Sequence, residues 1–199
     1  MELSRDGQSL AAEQTVGHFA LVSYIPHPLA AFLDKLRLDL TPGSKPRAHV
    51  TILPPRPLHD SVKTSIQEIG AHLRHALPFH IELGDIEVFE ASHVVYLGLS
   101  AGVAELRRLY ALLNHGCLEY NEVFPYHPHI TIAQNIRPED VDLMAGIARD
   151  TWAGWRGPRG FDVAALSFVQ HVALSVWVDV ATLPLGAESA VGSDGRGAR

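Results

Sequence analysis

One cysteine, Cys117, is all the thiol chemistry in this chain. It forbids an internal disulfide and any cysteine-rich zinc knuckle, so nothing calls for an oxidising compartment. Cys117 lies in an apolar helical pattern and reads as core. Cations are also scarce: 16 Lys and Arg against 22 Asp and Glu leave a formal net charge of -6. A protein that coats long nucleic acid needs many cations to neutralise phosphates, so that class is excluded; a small phosphate-bearing ligand or an RNA end is not. No apolar run approaches the roughly 18 to 20 residues that span a bilayer, and the opening Met1-Glu2-Leu3-Ser4-Arg5-Asp6-Gly7-Gln8 lacks the basic-then-apolar layout of a signal peptide. A cytoplasmic protein without membrane contact is therefore expected. Missing too are the Gly-x-Ser-x-Gly turn of serine hydrolases and a Gly-rich phosphate loop of the Walker type.

What is present suits one globular domain. With 199 residues, 47% of them hydrophobic, the chain can bury a substantial core. Residues 1–14 and 186–199 are polar or aperiodic and are expected to be tails, leaving 15–185 as a single two-lobed domain. Within it, Gly17 to Ile25 reads as a strand. Pro28 to Leu40 reads as a helix, with Leu29, Phe32, Leu33, Leu36 and Leu40 at helical spacing. Ala48 to Leu53 is a strand closed by Pro54-Pro55-Arg56-Pro57, and Asp60-Ser61 caps a helix expected to reach Leu77. Strands follow at Phe79 to Phe89 and His93 to Leu99, joined through Glu90-Ala91-Ser92.

The second half repeats that order, with a helix over Val103 to Leu118, a strand over Pro128 to Gln134 and a helix from Pro138 to Trp152. Strands at Phe161 to Gln170 and Val172 to Val180 finish the domain. Equivalent units in two halves predict an α+β protein of two pseudo-symmetric lobes, each an antiparallel-rich sheet with outer helices, facing across a central cleft. Trp152, Trp155 and Trp177 lie in apolar segments and read as core, Trp155 partly exposed.

Within this repeat lies the one pattern that carries chemistry. His49-Val50-Thr51-Ile52 and His129-Ile130-Thr131-Ile132 are the same motif, 80 residues apart and at matching places in the element order. Chance would supply about 0.4 His-x-Thr triplets in a chain with 12 His and 7 Thr, so the shared context says more than the count. Side chains two apart on a strand share a face, so each copy presents an imidazole beside a hydroxyl. Two facing copies would supply a neutral imidazole to take a proton, an imidazolium to give one, and hydroxyls to hold phosphate oxygens.

Arg47 to Leu58 (RAHVTILPPRPL) and Phe124 to Gln134 (FPYHPHITIAQ) resemble the two motif regions of the two-histidine (2H) phosphoesterase superfamily, especially its bacterial 2'-5' RNA ligase and RNA 2',3'-cyclic phosphodiesterase branch. The resemblance implies a bilobal sheet fold and chemistry on 2',3'-cyclic phosphates or 2',5'-phosphodiesters without metal or organic cofactor. It implies His49 as acid to the leaving oxygen, His129 as base to water, and Thr51 and Thr131 as the phosphate holders. Many relatives carry a basic residue directly after the second motif where this chain has Gln134; a neutral amide holds a phosphate less strongly. Lys45, Arg47 and Arg56 flank the first motif as alternative sources of positive potential, and Tyr126 is placed to stack on a base or to pack. The expected partner is a small nucleotide or an RNA end, taken by a monomer.

Two other readings fit the residues. His127-x-His129 with His49 suggests a metal-dependent hydrolase, although neither motif offers a nearby Asp, Glu or Cys to complete a coordination shell. A nucleotide- or RNA-end-binding module would keep the cleft without turnover.

Overall fold

The computed structural model describes residues 16–45, 47–173 and 176–186; the expected tails apart from Gly186, together with Thr15, Pro46 and residues 174–175 of the strand predicted over Val172 to Val180, lie outside the described residues. The chain runs β1 (Phe19–Tyr24), α1 (Leu29–Leu40), β2 (His49–Arg56), α2 (Val62–Leu73), β3 (Phe79–Phe89) and β4 (Val94–Ala101). It continues through α3 (Val103–Leu113), β5 (Ile130–Ala133), α4 (Val141–Gly154), β6 (Gly160–Val163), β7 (Ala165–Ala173) and β8 (Val176–Pro184). Short 3-10 turns lie at Gly116–Leu118 and Pro138–Asp140.

Helix ends follow local chemistry. α2 begins where the Ser61 hydroxyl accepts the Thr64 N–H at 3.1 Å. It stops at Leu73, short of the predicted Leu77, because Leu77 precedes Pro78 and is disfavoured in the helical region; its side chain is exposed. α3 ends at Leu113 rather than Leu118, since Gly116 adopts φ +59° and turns the chain before the 3-10 segment that buries Cys117.

All strand pairs are antiparallel, and they form two four-stranded sheets, β2-β1-β7-β8 and β5-β4-β3-β6. This is the expected two-lobed α+β architecture, with three corrections. First, β2 runs through Pro54 and Pro55 to Arg56. It is an edge strand, and its pairing with β1 shifts between Leu21↔Leu53 and Phe19↔Arg56, so the prolines occupy a bulge where missing N–H groups cost no ladder bond. Second, the span read as one strand from Phe161 to Gln170 is two, broken at Ala164, with β6 and β7 in different sheets. Third, β7 runs on through His171 to Ala173, and β8 begins at Val176.

The lobes therefore do not divide the chain at its midpoint: the final two strands return to complete the sheet begun by β1 and β2. Helices are exchanged as well. α1 follows β1 but packs on β5, while α3 follows β4 but packs on β2 as well as on β4; α2 covers β8, and α4 covers β3 and β4. A continuous set of buried apolar side chains links both sheets and all four helices. In that core Val50, Ile52, Ile130 and Ile132 are fully buried, and truncating such a residue to Ala costs about 2–5 kcal/mol.

Candidate active site

The two motif strands are the edge strands of their sheets, and they lie against each other. Period-two alternation sorts each motif. Val50, Ile52, Ile130 and Ile132 point into the core, which leaves His49 with Thr51, and His129 with Thr131, half-buried on the opposite faces. Neither threonine hydroxyl is engaged by a neighbour among the described residues.

Each imidazole is oriented in the same way. His49 Nδ1 lies 2.7 Å from the Arg47 carbonyl oxygen, and His129 Nδ1 lies 2.7 Å from that of His127. A carbonyl only accepts, so Nδ1 must donate in both rings, and in each neutral imidazole Nε2 is left as the basic nitrogen. His127, exposed, thus serves through its backbone.

Tyr126 bolts the motifs together. Its hydroxyl donates to the Thr51 carbonyl oxygen at 2.8 Å, and its ring stacks on Tyr110 with centroids 4.3 Å apart and planes 3° from parallel. Of the two roles open to Tyr126, to stack on a base or to pack, the structure shows packing: its hydroxyl and one face of its ring are used internally. Two other tyrosines, unmarked in the sequence reading, flank the histidines in equivalent ways. Tyr24 on β1 pairs across the ladder with His49, its ring edge-on at 6.4 Å; Tyr96 on β4 pairs with Thr131 and stands edge-on to His129 at 5.4 Å. Phe89, stacked on Tyr96 at 4.0 Å, also meets the His129 ring edge-on at 5.0 Å. Only the strand register reveals these neighbours.

Electrostatics separate the two imidazoles. Burial pushes His49 down to about 4; the bond to the Arg47 carbonyl opposes this, while the charges of Arg37, His129 and Arg47 reinforce it. Burial also lowers His129, against its bond to the His127 carbonyl, and the only added charge is that of His127. Burial therefore disfavours the charged form of both rings, and the charge of His129 is among the causes that lower His49, which places the two in one electrostatic site.

Arg37, which the motifs do not mark, is a further candidate: its charge is among those that lower His49. It is half-buried on the α1 face shared by Leu33 and Leu40, four residues before and three after, where an apolar stripe would place a hydrophobe. Burial lowers its pKa, while the Asp34 charge raises it. No side-chain hydrogen bond or contact ion pair holds its guanidinium among the described residues. A charged residue interrupting the α1 stripe was the available signal.

The other predicted residues divide. Arg47 stands beside His49, its guanidinium 3.3 Å over the Tyr24 ring centre and 2.7 Å from Asp179 Oδ2, while the Tyr24 hydroxyl donates to Asp179 Oδ1 at 2.6 Å. Gln134 is exposed just past β5, and Lys45 is exposed before β2. Arg56 is not a substrate contact. It is 1% exposed at the far end of β2, and its guanidinium is spent on the carbonyls of Pro54 and Leu118, on Asn114 Oδ1 and on Glu122. The bulge that carries β2 past its prolines turns this side chain inward. Trp152 is buried as expected and Trp155 is half-exposed, whereas Trp177 is exposed on β8 and stacks on His171. Among the described residues, His49, His127 and His129 do not converge into a ligand set, so the motif cleft gives no support to a three-histidine metal centre.

The sequence profile of the 2'-5' RNA ligase superfamily matches residues 25–173. A curated protein of Oceanobacillus iheyensis with the provisional name of phosphoesterase is 25% identical over 88 residues, 44% of this chain; the match spans about half of that relative, 51% of its length. Among solved structures, apo LigT of E. coli superposes with a TM-score of 0.59 at 17% identity, covering 86% of this chain and 98% of LigT. LigT in complex with 3'-AMP gives 0.58 at 16%, covering 85% and 98%. A protein of Thermus thermophilus gives 0.56 at 15%, covering 86% and 99%. At these identities the structural likeness is one of fold.

Proposed function

The chain belongs to the 2'-5' RNA ligase superfamily, and on that footing we propose that it is a metal-independent phosphoesterase that opens 2',3'-cyclic phosphates or cleaves 2',5'-phosphodiesters of RNA ends or small nucleotides. One observation carries this reading: two half-buried imidazoles, each bonded through Nδ1 and so left with Nε2 as its basic nitrogen, stand beside unengaged threonine hydroxyls on two edge strands in contact. LigT has been solved with phosphate and with 3'-AMP, and a nucleotide of that kind suits the cleft proposed here.

In hydrolysis one imidazole takes a proton from water as its oxygen attacks phosphorus. The P–O bond to the ribose oxygen breaks, and the other imidazole, as imidazolium, gives that oxygen its proton. Thr51 and Thr131 donate to the non-bridging oxygens, whose bonds strengthen if charge builds in the transition state. The electrostatics favour His49 as base and His129 as acid, the reverse of the roles taken from resemblance. Two guanidiniums oppose a proton on His49, and none is a cause of the lowering at His129. Arg37 and Arg47 supply the positive potential that Gln134 does not.

The test is turnover of 2',3'-cyclic nucleotides, cyclic-phosphate RNA ends, ADP-ribose cyclic phosphate and 2',5'-linked dinucleotides, by wild type and by His129→Ala, with and without EDTA. Wild type should act on at least one of them regardless of chelation, and the folded variant should not. Activity lost on chelation and restored by one divalent metal would replace this reading with metal catalysis. A pure binding module would show affinity without turnover.

A further inference from the structure

We propose that Glu68, His72 and His115 form a site for a divalent transition cation of the zinc class, separate from the motif cleft and independent of the phosphoesterase reading. Glu68 and His72 lie four residues apart on α2 and so share one helix face. His115 comes from the turn after α3. One ligand atom from each of the three lies within 4.8 Å of the other two. A carboxylate and two imidazoles are a recurrent ligand set for such ions, with water or a substrate atom completing a tetrahedron.

Distances favour an ion over a simple pair. His115 Nδ1 is 3.7 Å from Glu68 Oε1, beyond the roughly 2.7–3.2 Å of a hydrogen bond. Tetrahedral bonds of about 2.0–2.1 Å set neighbouring ligands about 3.3 Å apart, so a small contraction would seat the ion. A pair of Glu68 with His115 would leave His72 without a purpose, yet its ring meets His115 edge-to-face, with centroids 5.5 Å apart and planes at 84°.

The cluster is also held from behind. Glu68 Oε2 accepts the Cys117 N–H at 3.4 Å, which turns Oε1 toward His115. Such outer partners orient metal-binding carboxylates. Gly116 makes the approach possible: at φ +59°, a Cβ there would collide with Glu68 Oε1. The same turn ends at Leu118, whose carbonyl binds Arg56 at the opposite end of β2 from His49. Seven strand steps separate those ends, roughly 23 Å. A bound cation would thus clamp α2 to the turn after α3 without entering the cleft.

The full-length chain, stripped with EDTA, is titrated with Zn²⁺ by calorimetry and thermal unfolding, alongside His72→Ala, His115→Ala, Glu68→Gln, His49→Ala and His129→Ala. Wild type should bind one Zn²⁺ per chain and melt several degrees higher with Zn²⁺ in excess. Each change at Glu68, His72 or His115 should weaken that binding at least about tenfold and reduce the thermal shift, while the His49 and His129 variants keep both. His115 is exposed, so its variant tests the site even if a change on α2 impairs folding. The proposal is overturned if wild type binds no Zn²⁺ at micromolar concentration, if the three ligand variants bind as wild type does, or if binding is lost with His49 or His129 instead. Turnover by the stripped protein below its melting temperature reports on the phosphoesterase reading separately.

Discussion

The assignment of base and acid can be tested by making the acid unnecessary. An imidazole at about 4 carries a proton in roughly one molecule in a thousand at pH 7, so loading it there costs about 4 kcal/mol in the free protein. A bound phosphodiester anion at ~4 Å would return up to about 4 kcal/mol at an effective dielectric of 20. It acts on His129 as well, however, so binding does not remove the bias that the two guanidiniums set against a proton on His49, and the proposed assignment keeps His129 as the acid. On a cyclic nucleotide, His49→Ala and His129→Ala should each lose about 10²–10⁴ in kcat. On a nucleoside phosphodiester with a p-nitrophenolate leaving group, which departs without a proton, His129→Ala should recover most of its loss and His49→Ala none. The pH profile of kcat/KM for His129→Ala on that substrate should be flat through neutrality and fall tenfold per pH unit only at acid pH, below the pKa of His49, which the loss of the His129 charge leaves somewhat above its wild-type value of about 4. Rescue of His49→Ala instead would refute the reasoning, as would equal losses on both substrates by both variants.

The depressed His49 also makes a stability prediction. Its folded value lies below the unfolded 6.5, so the unfolded chain binds more protons; the stabilisation is full above 6.5 and is lost as pH falls toward 4, by up to about 3 kcal/mol. Urea midpoints at pH 7 and 4.5 should therefore separate more for wild type than for His49→Ala. Tyr126→Phe removes the bond to the Thr51 carbonyl and should cost about 1 kcal/mol in urea unfolding, lowering kcat more than it raises KM because it loosens the spacing of the motifs. Arg56→Met should destabilise by about 3–5 kcal/mol through the stranded Glu122, yet leave KM near wild type in protein that remains folded. Arg37→Gln should raise KM for anionic substrates severalfold, with an effect that shrinks as salt rises; a KM that does not change would remove Arg37 from the site.

The motifs were legible because a strand writes its faces into sequence: His and Thr alternate with Val and Ile at a period that only β structure gives. The strand break at Ala164 was not legible, since Val163-Ala164-Ala165 holds no turn residue, and the change of sheet there depends on contacts with β1 and β3. Arg56 misled because closeness in sequence stood in for closeness in space: seven steps along β2, past two prolines, put it at the wrong end of the strand and inside the core. Tyr24 and Tyr96 were invisible for the opposite reason. Each becomes a neighbour of a catalytic candidate only through ladder register, as does Tyr126 through a contact across 75 positions of chain.

Two copies of one motif need not do one job, and this chain indicates how they diverge. Backbone geometry treats His49 and His129 alike, down to the 2.7 Å bond from each Nδ1 to a carbonyl two residues earlier. A symmetrical pair would leave either ring equally ready to hold the shared proton, and half of the molecules would bind substrate in the unproductive state. The helix exchange breaks that tie. Because α1 crosses to pack on β5, it brings Arg37 within electrostatic reach of His49, where its charge joins that of Arg47 in opposing a proton on that ring. In the proposed mechanism the same arginine takes the part that the neutral Gln134 does not, since its helix packs against β5. On the proposed mechanism, charge placed on a neighbouring element both attracts a phosphate and decides which of two like motifs is the base, without altering a residue of either motif.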